Sequence, residues 1–381
     1  MTADPLSALS QAVEAALTGG PAVIPPAWQP TGHLPPDVAL AVASSGSTGH
    51  PKLVLLSAAA ITASARASAQ RLGGTGSWLL ALPTNHVAGL NVVARAVLAG
   101  TALTALRGPF TAQAFNLAAR AMPPGPRFVS LVPTQLQRLL PDPAAVAELG
   151  GFAAILLGGA PVPANTQAQT RQLGLPVVQT YGMAETCGGC VYDGVPLDGV
   201  QLRLGAGLAG RIELSGSTLA LGYLDQAATA AAFVNQAGQR WYLSSDQGHL
   251  DTHGHLTVLG RLDHIIQTGG HKVAPEAVEH RLEAHPAVTQ VVVTGLPDPQ
   301  WGQVVTALVV GPNPPTLDQL RTWLEDNSSA TDQAEPTRER LPRALGIVDQ
   351  LPYLAPGKVD RTAAATLARR LDNAGQIDRL R

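Results

Sequence analysis

The chain has little of what marks secreted, membrane-bound or nucleic-acid-binding proteins. Its 381 residues include two cysteines, 14% charged residues and 4% aromatic residues, and the formal net charge is −2. A charge this close to zero gives no electrostatic attraction to nucleic acid or anionic lipid, so we expect neither as a partner. The sequence has no run of about 18 apolar residues that would predict a membrane span. Its start lacks the basic region of a signal peptide, which favours a cytoplasmic protein.

The two cysteines, Cys187 and Cys190, form the sequence C-G-G-C. Their number excludes a zinc site made of four cysteines. A thioredoxin-like pair would need a helix N-terminus to lower a thiol pKa, whereas the flanking glycines indicate a loop. We therefore favour packing or pocket lining, and keep redox chemistry as the alternative.

Three histidines, His249, His253 and His255, lie close together and allow a metal site. However, the sequence Asp251-Thr252-His253-Gly254 is typical of a polar hairpin turn between short strands. We favour the turn.

The most informative segment is SSGSTGHPK, residues 44–52. Glycines let backbone N–H groups point inward, hydroxyls donate hydrogen bonds, and Lys52 adds a positive charge, so such a loop can bind a polyphosphate. It is not a Walker A loop, because Pro51 precedes the lysine and an apolar strand-like run follows it. The pattern predicts strand–loop–strand, and a flexible Gly/Ser turn is the alternative for the loop taken alone.

The order of predicted elements indicates an α/β fold. Residues 38–180 alternate apolar strands with Ala-rich or amphipathic helices, which predicts a mostly parallel sheet whose ligands bind at the carboxyl ends of strands. Residues 198–262 have short strands and glycine turns, which predicts a β-rich subdomain. From residue 263 a small α+β unit follows. We predict an N-terminal domain over 1–262 and a mobile C-terminal domain over 263–381.

Six segments in order carry a family resemblance. They are SSGSTGHPK (44–52), LLGGAPVP (156–163), QTYGMAETCGG (179–189), WYLSSDQG (241–248), GRLDHIIQTGGHKVAPEAVE (260–279) and LPYLAPGKVDR (351–361). Together they resemble the adenylate-forming superfamily of acyl-CoA synthetases, nonribosomal adenylation domains and luciferases. The resemblance covers nearly the whole chain.

The resemblance implies an enzyme in which a carboxylate attacks the α-phosphate of ATP, giving an acyl-AMP and pyrophosphate. Because two anions must meet, charge neutralisation dominates the barrier. Glu185 is implied as the Mg²⁺ ligand, and Lys358 as the bridge between carboxylate and α-phosphate. The other implied ATP-binding residues are Ser44, Ser45, Gly46, Ser47, Thr48, Gly49 and Lys52 at the phosphates, Gly158, Gly159, Ala160, Pro161, Tyr181 and Gly182 at the adenine, Met183 and Ala184 beside it, and Asp246 with Arg261 at the ribose.

A second step follows from the same resemblance, in which the thiol of coenzyme A attacks the acyl-AMP. Relatives rotate the C-terminal unit between the two steps, and Asp263 matches the pivot. Rotation removes Lys358 and brings in the segment of Gly269, Gly270, His271 and Lys272, where glycines let a pantetheine arm pass close to the backbone.

One position departs from the family pattern. Residue 184 is alanine, where relatives usually have a hydroxyl that helps to hold phosphate or metal. Losing such a hydrogen bond costs about 1–3 kcal/mol if it is not replaced. Thr186 or the hydroxyls of the glycine loop are the candidates to compensate.

Three segments, residues 82–100, 132–140 and 181–200, suggest the acid substrate. They resemble the short o-succinylbenzoyl-CoA synthetases that serve menaquinone biosynthesis in actinobacteria. This implies an aromatic dicarboxylate, 2-succinylbenzoate. The candidate acyl-site residues are His86, Thr134, Gln135, Gly188 and Gly189. A homodimer is also expected from the relatives.

Three other functions stay open at this point. The chain could activate a different aryl or acyl acid, or load a carrier protein. Given Ala184, it could also bind nucleotide without catalysis.

Overall fold

The computed structural model describes residues 4–25, 28, 34–44, 52–205, 210–327, 341–354 and 358–380. Its helices, in chain order, are α1 Pro5–Leu17, α2 Ala58–Arg71, α3 Val87–Ala99, α4 Ala112–Arg120, α5 Pro133–Leu139, α6 Pro143–Gly150, α7 Ala164–Gln172, α8 Gln226–Ala232, α9 Pro275–Leu282, α10 Leu317–Asp326 and α11 Arg361–Asn373. Single 3-10 turns lie at Ala184–Thr186 and Leu262–His264.

The strands form five sheets. They are β1 Val38–Ser44, β2 Lys52–Ser57, β3 Ser77–Leu80, β4 Leu103–Ala105, β5 Arg127–Leu131, β6 Ala154–Gly158, β7 Val177–Met183, β8 Gly188–Tyr192, β9 Val195–Pro196, β10 Val200–Leu204, β11 Arg211–Gly216, β12 Gly222–Tyr223, β13 Phe233–Gln236, β14 Gln239–Leu250, β15 Leu256–Arg261, β16 Ile266–Thr268, β17 His271–Val273, β18 Gln290–Asp298, β19 Gly302–Val310, β20 Ala344–Ile347, β21 Tyr353–Leu354, β22 Lys358–Val359 and β23 Ile377–Arg379.

The glycine-rich loop joins two antiparallel strands, as predicted. β1 pairs with β2, and the last pair before the loop is Ser44 with Lys52. Both strands are apolar and largely buried, and β12 adds to the β2 edge. The hairpin therefore fixes both ends of the loop, whose residues 45–51 lie outside the described part of the chain.

The predicted parallel sheet is present. Its seven strands run in the order β4-β3-β5-β6-β7-β8-β9, with β3 to β7 parallel and β8 and β9 antiparallel. Ser57 is the N-cap of helix α2, because its hydroxyl accepts the N–H of Ala60. The loops after β3, β6 and β7 lie at the carboxyl edge of this sheet, where ligands bind in such folds.

A five-stranded antiparallel sheet follows, which confirms the β-rich segment. Its longest strand, β14, contains Asp246, whereas the sequence suggested that this residue follows a strand. The buried positions alternate at Tyr242, Ser244, Asp246 and Gly248. Because three of these inward positions are not apolar, the strand has no hydrophobic alternation by which its length could be recognised.

The last sheet has six strands in the order β17-β16-β19-β20-β23, with β18 also paired to β19. Helices α9 and α11 pack on β18, which gives the α+β arrangement predicted for this part. Arg361, the first residue of α11, forms an ion pair with Glu279 on α9 (Nη2 to Oε2, 2.5 Å). This contact joins the segment after Lys358 to the rest of the unit.

One expectation about the seven-stranded sheet needs correction. Gly188 to Cys190 belong to β8 and not to a loop, and the two glycines allow close packing, of Gly189 on Thr180 of β7 and of Gly188 on Asn91 of α3. The sequence reasoning also missed α5 and α6, two short helices that each begin with a proline at the first helical position.

In the described ranges, no helix is both long and apolar enough to cross a bilayer.

Candidate active site

Glu185 lies at the carboxyl end of β7, in the 3-10 turn Ala184–Thr186, and is buried. Its Oε1 accepts a hydrogen bond from the Tyr223 hydroxyl at 2.8 Å. Lys52 places its Nζ 4.9 Å from the centre of the Tyr223 ring. The end of the glycine-rich loop and the predicted metal ligand therefore meet around one tyrosine.

Burial raises the pKa of the Glu185 carboxyl above its usual range. The hydrogen bond from Tyr223 and the positive charge of Lys52 act in the opposite direction and favour the carboxylate. A carboxylate in this position suits a hard cation, because Mg²⁺ prefers oxygen ligands. The chemistry of the position therefore fits the predicted role of Glu185.

Asp246 sits on the neighbouring sheet and contacts two predicted ATP-site residues. Its Oδ2 accepts a hydrogen bond from the Tyr181 hydroxyl at 2.7 Å, and its Oδ1 lies 3.3 Å from Nη1 of Arg261. Burial raises the pKa of the Asp246 carboxyl, and the Tyr181 hydroxyl and Arg261 oppose that shift. The three side chains form one connected polar group around the buried Asp246 carboxylate.

The groups around Glu185 and Asp246 belong to one site. Both carboxylates act on Tyr242, whose pKa is raised by burial first, then by the charge of Glu185 and, more weakly, by that of Asp246. The site thus holds two carboxylates and two cations, Lys52 and Arg261, at the carboxyl edge of the parallel sheet.

The glycines of this edge are required by close packing. A Cβ at Gly158 would lie 2.3 Å from Oγ1 of Thr180, and one at Gly182 would lie 2.0 Å from the carbonyl oxygen of Gly188. The predicted adenine-site residues Gly159, Ala160 and Pro161 follow β6 directly, beside the end of β7. The structure therefore brings these two predicted segments together.

The turn after Glu185 is held by residues that the sequence did not point to. Cys187 has a left-handed backbone (φ 53°), and its carbonyl accepts hydrogen bonds from Asn91 Nδ2 (2.6 Å) and Ser64 Oγ (3.1 Å). Thr186 Oγ1 accepts the N–H of Met183 and lies 2.8 Å from the carbonyl oxygen of Gly188. Because it is engaged by this turn, Thr186 is not free to replace the hydroxyl missing at Ala184.

The cysteines are part of the same packed turn. Both are buried and free. Burial raises the pKa of the Cys190 thiol to about 12 and also raises that of Cys187, which suppresses the reactive thiolate. Packing is therefore favoured over redox chemistry.

The hairpin-turn interpretation of the histidines is also confirmed, since Asp251 Oδ1 accepts the N–H groups of His253 and His255.

The predicted acyl-site residues come from three elements at this edge. His86 precedes α3, Thr134 and Gln135 begin α5, and Gly189 lies on β8. Gln135 already uses its amide, since Nε2 donates to the Ala81 carbonyl (2.9 Å) and Oε1 accepts the N–H of Val132 (3.1 Å). Its amide joins α5 to the end of β3, and its role toward a substrate stays a prediction.

The C-terminal candidates lie in two separate hairpins. Lys358 begins β22, which pairs with Tyr353–Leu354, and the charge of Arg138 on α5 acts on the Tyr353 hydroxyl. The Lys358 hairpin therefore lies close to the helix that carries Thr134. Gly269 and Gly270 form the turn between β16 and β17, so His271 and Lys272 are strand residues and not loop residues.

Asp263, the predicted pivot, lies in the turn Leu262–His264. Arg261 binds both of its carboxylate oxygens, at 2.9 Å and 2.8 Å. Arg261 thus connects the ribose-site candidate Asp246 to the pivot.

The family model for AMP-binding enzymes matches residues 7–224, and the model for the C-terminal domain of AMP-binding enzymes matches residues 277–358. This chain belongs to the AMP-binding enzyme family. The two matches together span the glycine-rich loop, Glu185 and Lys358.

Two members of the AMP-binding family that are described as 2-succinylbenzoate–CoA ligases are similar to most of the chain. A probable 2-succinylbenzoate–CoA ligase of Mycobacterium tuberculosis is 46% identical over 349 residues, which is 90% of this chain and 86% of the relative. The 2-succinylbenzoate–CoA ligase of Enterococcus faecalis is 30% identical, over 84% of this chain and 68% of the relative. The chain is an adenylate-forming acid–CoA ligase.

A solved structure extends the likeness to three dimensions. The o-succinylbenzoate CoA synthetase MenE of Bacillus subtilis, in complex with the acyl-adenylate intermediate OSB-AMP, aligns with a TM-score of 0.72 at 29% identity. The alignment covers 86% of this chain and 69% of that one. The expected fold class is thereby confirmed.

Three residues of the site had no sequence signal. Tyr223 lies on a two-residue strand far from Glu185 in the chain, and Ser64 and Asn91 lie on helices where they resemble ordinary polar positions. Only the folded contacts show that they surround the Glu185 turn.

Proposed function

We propose that the chain is an ATP-dependent 2-succinylbenzoate–CoA ligase that serves menaquinone biosynthesis. The single observation that carries the choice of acid is the 46% identity, over 90% of the chain, to the M. tuberculosis protein of that description. The likeness to the B. subtilis enzyme bound to OSB-AMP supports the same acid.

The first step in this proposal joins the aromatic acid to AMP. The residues of the 44–52 loop bind the β- and γ-phosphates, and Lys358 neutralises the negative charges that meet at the α-phosphate. Asp246, held by Tyr181 and Arg261, accepts hydrogen bonds from the ribose hydroxyls. The segment of Gly158 to Pro161 and the end of β7 bind the adenine.

Magnesium fits the described residues at one position. The Glu185 carboxylate has one oxygen bonded to Tyr223, and burial restricts its movement. A Mg²⁺ ion bound there would screen the phosphate charges and orient the leaving pyrophosphate. The hydrogen bond from Tyr223 orients the Glu185 carboxylate, and Tyr223 and Lys52 both favour its ionised form.

The second step transfers the acyl group to coenzyme A. In the proposal the C-terminal domain, residues 263–381, rotates about Asp263, so that Lys358 leaves and the turn of Gly269 and Gly270 approaches. Among the described residues, a Cβ at Gly270 would meet nothing within 4 Å, whereas one at Gly269 would lie 2.5 Å from the Trp301 ring, so the open space of this turn lies beside Gly270. That space supports the passage of a pantetheine arm.

The proposal includes the expectations that the enzyme is cytoplasmic, forms a homodimer, and binds neither membranes nor nucleic acid. Light scattering on the purified protein tests the oligomeric state.

Product analysis by mass spectrometry tests the function. We expect ATP, Mg²⁺, coenzyme A and 2-succinylbenzoate to give AMP, pyrophosphate and 2-succinylbenzoyl-CoA. The panel includes benzoate, malonate and a fatty acid, with the Lys358→Ala variant as the matched control. Efficient thioester formation from another acid but not from 2-succinylbenzoate would contradict the proposed substrate and leave the ligase activity intact.

A further inference from the structure

A cavity lies near the beginning of β3, whereas Glu185 follows the carboxyl end of β7. It has a volume of about 140 Å³ and opens between α2 and α3 at the beginning of β3. The candidate active site is at the opposite end of the strands, where the loop with His86 follows β3. The cavity is therefore not part of the ATP site.

A buried guanidinium lines this cavity. Arg95, on α3, is 8% exposed, and its Nη2 donates to Ser68 Oγ (3.0 Å) and Tyr192 OH (3.1 Å). Its Nε is buried and has no hydrogen-bond partner within the described ranges. Among the described residues, no carboxylate lies within ion-pair distance of Arg95. A buried charge without a counter-ion is costly, so this position favours the arrival of an anion.

The remaining wall is mostly apolar and partly aromatic. The ring of Trp78 lies 5.1 Å from the guanidinium carbon of Arg95, and Ala65, Ala69 and Leu98 add aliphatic surface. Arg66 contributes a second cation at the exposed rim. A cavity near 150 Å³ holds a single benzene ring, so the volume suits a small ring and not a nucleotide.

We propose that this cavity binds a small aromatic monocarboxylate, with its carboxylate on Arg95 and its ring against Trp78 and the α2–α3 wall. The site is separate from the ligase centre and does not depend on the proposed substrate. A carboxylate supplies the counter-charge, and the ring covers the apolar wall.

Benzoate is the probe, and fluorine NMR of protein labelled with 5-fluorotryptophan is the measurement. The full chain has five tryptophans, and the Trp78→Phe variant assigns the Trp78 signal. Trp241, which also lies under an arginine (Arg203, 3.8 Å), is the internal control. We expect benzoate to shift the Trp78 signal saturably and to leave the Trp241 signal unchanged. Neutral benzamide should produce no shift, and acetate should bind at least about ten-fold more weakly.

Two variants separate the contribution of the Arg95 charge to benzoate binding from that of the cavity volume. Arg95→Met removes the guanidinium, while Ser68 Oγ and Tyr192 OH remain 3.0 Å apart and bond to each other. We expect it to weaken benzoate binding by about ten-fold or more. Leu98→Trp keeps Arg95 and fills the cavity, so it should also abolish the shift.

An absent Trp78 shift at saturating benzoate would overturn the proposal, as would equal shifts with benzamide or with Arg95→Met. Because the readout needs no turnover, its failure is distinguishable from failure of the ligase function.

Discussion

Glu185 must be ionised to bind a cation, yet it is buried. Burial raises the pKa of its carboxyl, while the Tyr223 hydrogen bond and Lys52 oppose that shift. The site therefore requires, at neutral pH, a charged form that burial disfavours. At the residue scale, function and stability act in opposite directions at this position.

The Glu185→Gln variant should show that the ionised carboxylate, which cation binding requires, lowers the stability of the fold. A carboxyl whose folded-state pKa lies above the unfolded value lowers stability progressively as pH rises from the unfolded pKa to the folded pKa, and the loss is complete above the folded pKa. We expect the variant to be more stable than the parent at neutral pH, and the difference to shrink as pH falls through the raised pKa. Thermal unfolding across pH measures it, and a neutral-pH loss of stability would contradict the burial argument. Mg²⁺-dependent acyl-AMP formation should also fall sharply.

Tyr223→Phe removes the hydroxyl that favours the Glu185 carboxylate. The pKa of Glu185 should then rise further, so the acidic limb of the kcat/KM profile should move to higher pH. Tyr192→Phe is the control, because that hydroxyl bonds Ser68 and Arg95 instead. An unchanged acidic limb in Tyr223→Phe would mean that Glu185 does not set it.

At the element scale, the β7–β8 connection determines where Glu185 lies. Asn91 from α3 and Ser64 from α2 bind the Cys187 carbonyl, and Gly188 continues with a positive φ of 87°. Two helices thus hold one turn. The order of these elements is evident from the sequence, but their convergence on a single carbonyl is not.

Gly188→Ala should therefore be more damaging than an ordinary glycine substitution. A Cβ at Gly188 would lie 2.2 Å from Asn91 Nδ2, whereas at Gly174 (φ 62°) it would meet nothing within 4 Å. Both variants carry backbone strain of about 1–2 kcal/mol. Gly188→Ala should cost about 1–3 kcal/mol more, because Asn91 must release the Cys187 carbonyl. Urea unfolding compares the two, and equal losses would show that Asn91 moves without cost.

At the scale of the whole molecule, the proposed function requires two units to take part in one reaction. Arg261 contacts both Asp246 and Asp263, so the predicted pivot is tied to the ribose-site candidate. Glu276 on α9 binds His264 at 2.6 Å and Arg361 at 3.3 Å, which connects the pivot turn to the start of α11. A rotation about Asp263 would carry the Lys358 hairpin with it.

Lys358→Ala should separate the two half-reactions. We expect acyl-AMP formation to fall by about 100-fold or more, as for loss of one positioned electrostatic group. Thioester formation from supplied acyl-AMP and coenzyme A should be preserved, because the proposed rotation moves Lys358 out of the site before that step. Pyrophosphate exchange and thioester assays measure the two steps. Equal losses in both would contradict the two-position proposal.

The sequence by itself determined the α/β class and the hairpin around the glycine-rich loop, and it predicted Glu185 and Asp246 as site carboxylates. These follow from local patterns, such as the apolar runs of β1 and β2, and from six motifs in order. It did not reveal that Asp246 lies within β14, because the inward face there is polar.

Only the tertiary structure decided which distant residues surround the site. Tyr223, Asn91 and Ser64 reach the Glu185 turn across sheets and helices, and Arg95 is buried beside Trp78 with no carboxylate at ion-pair distance among the residues that the structure describes. Such contacts depend on long-range packing, for which periodicity along the chain has no signal.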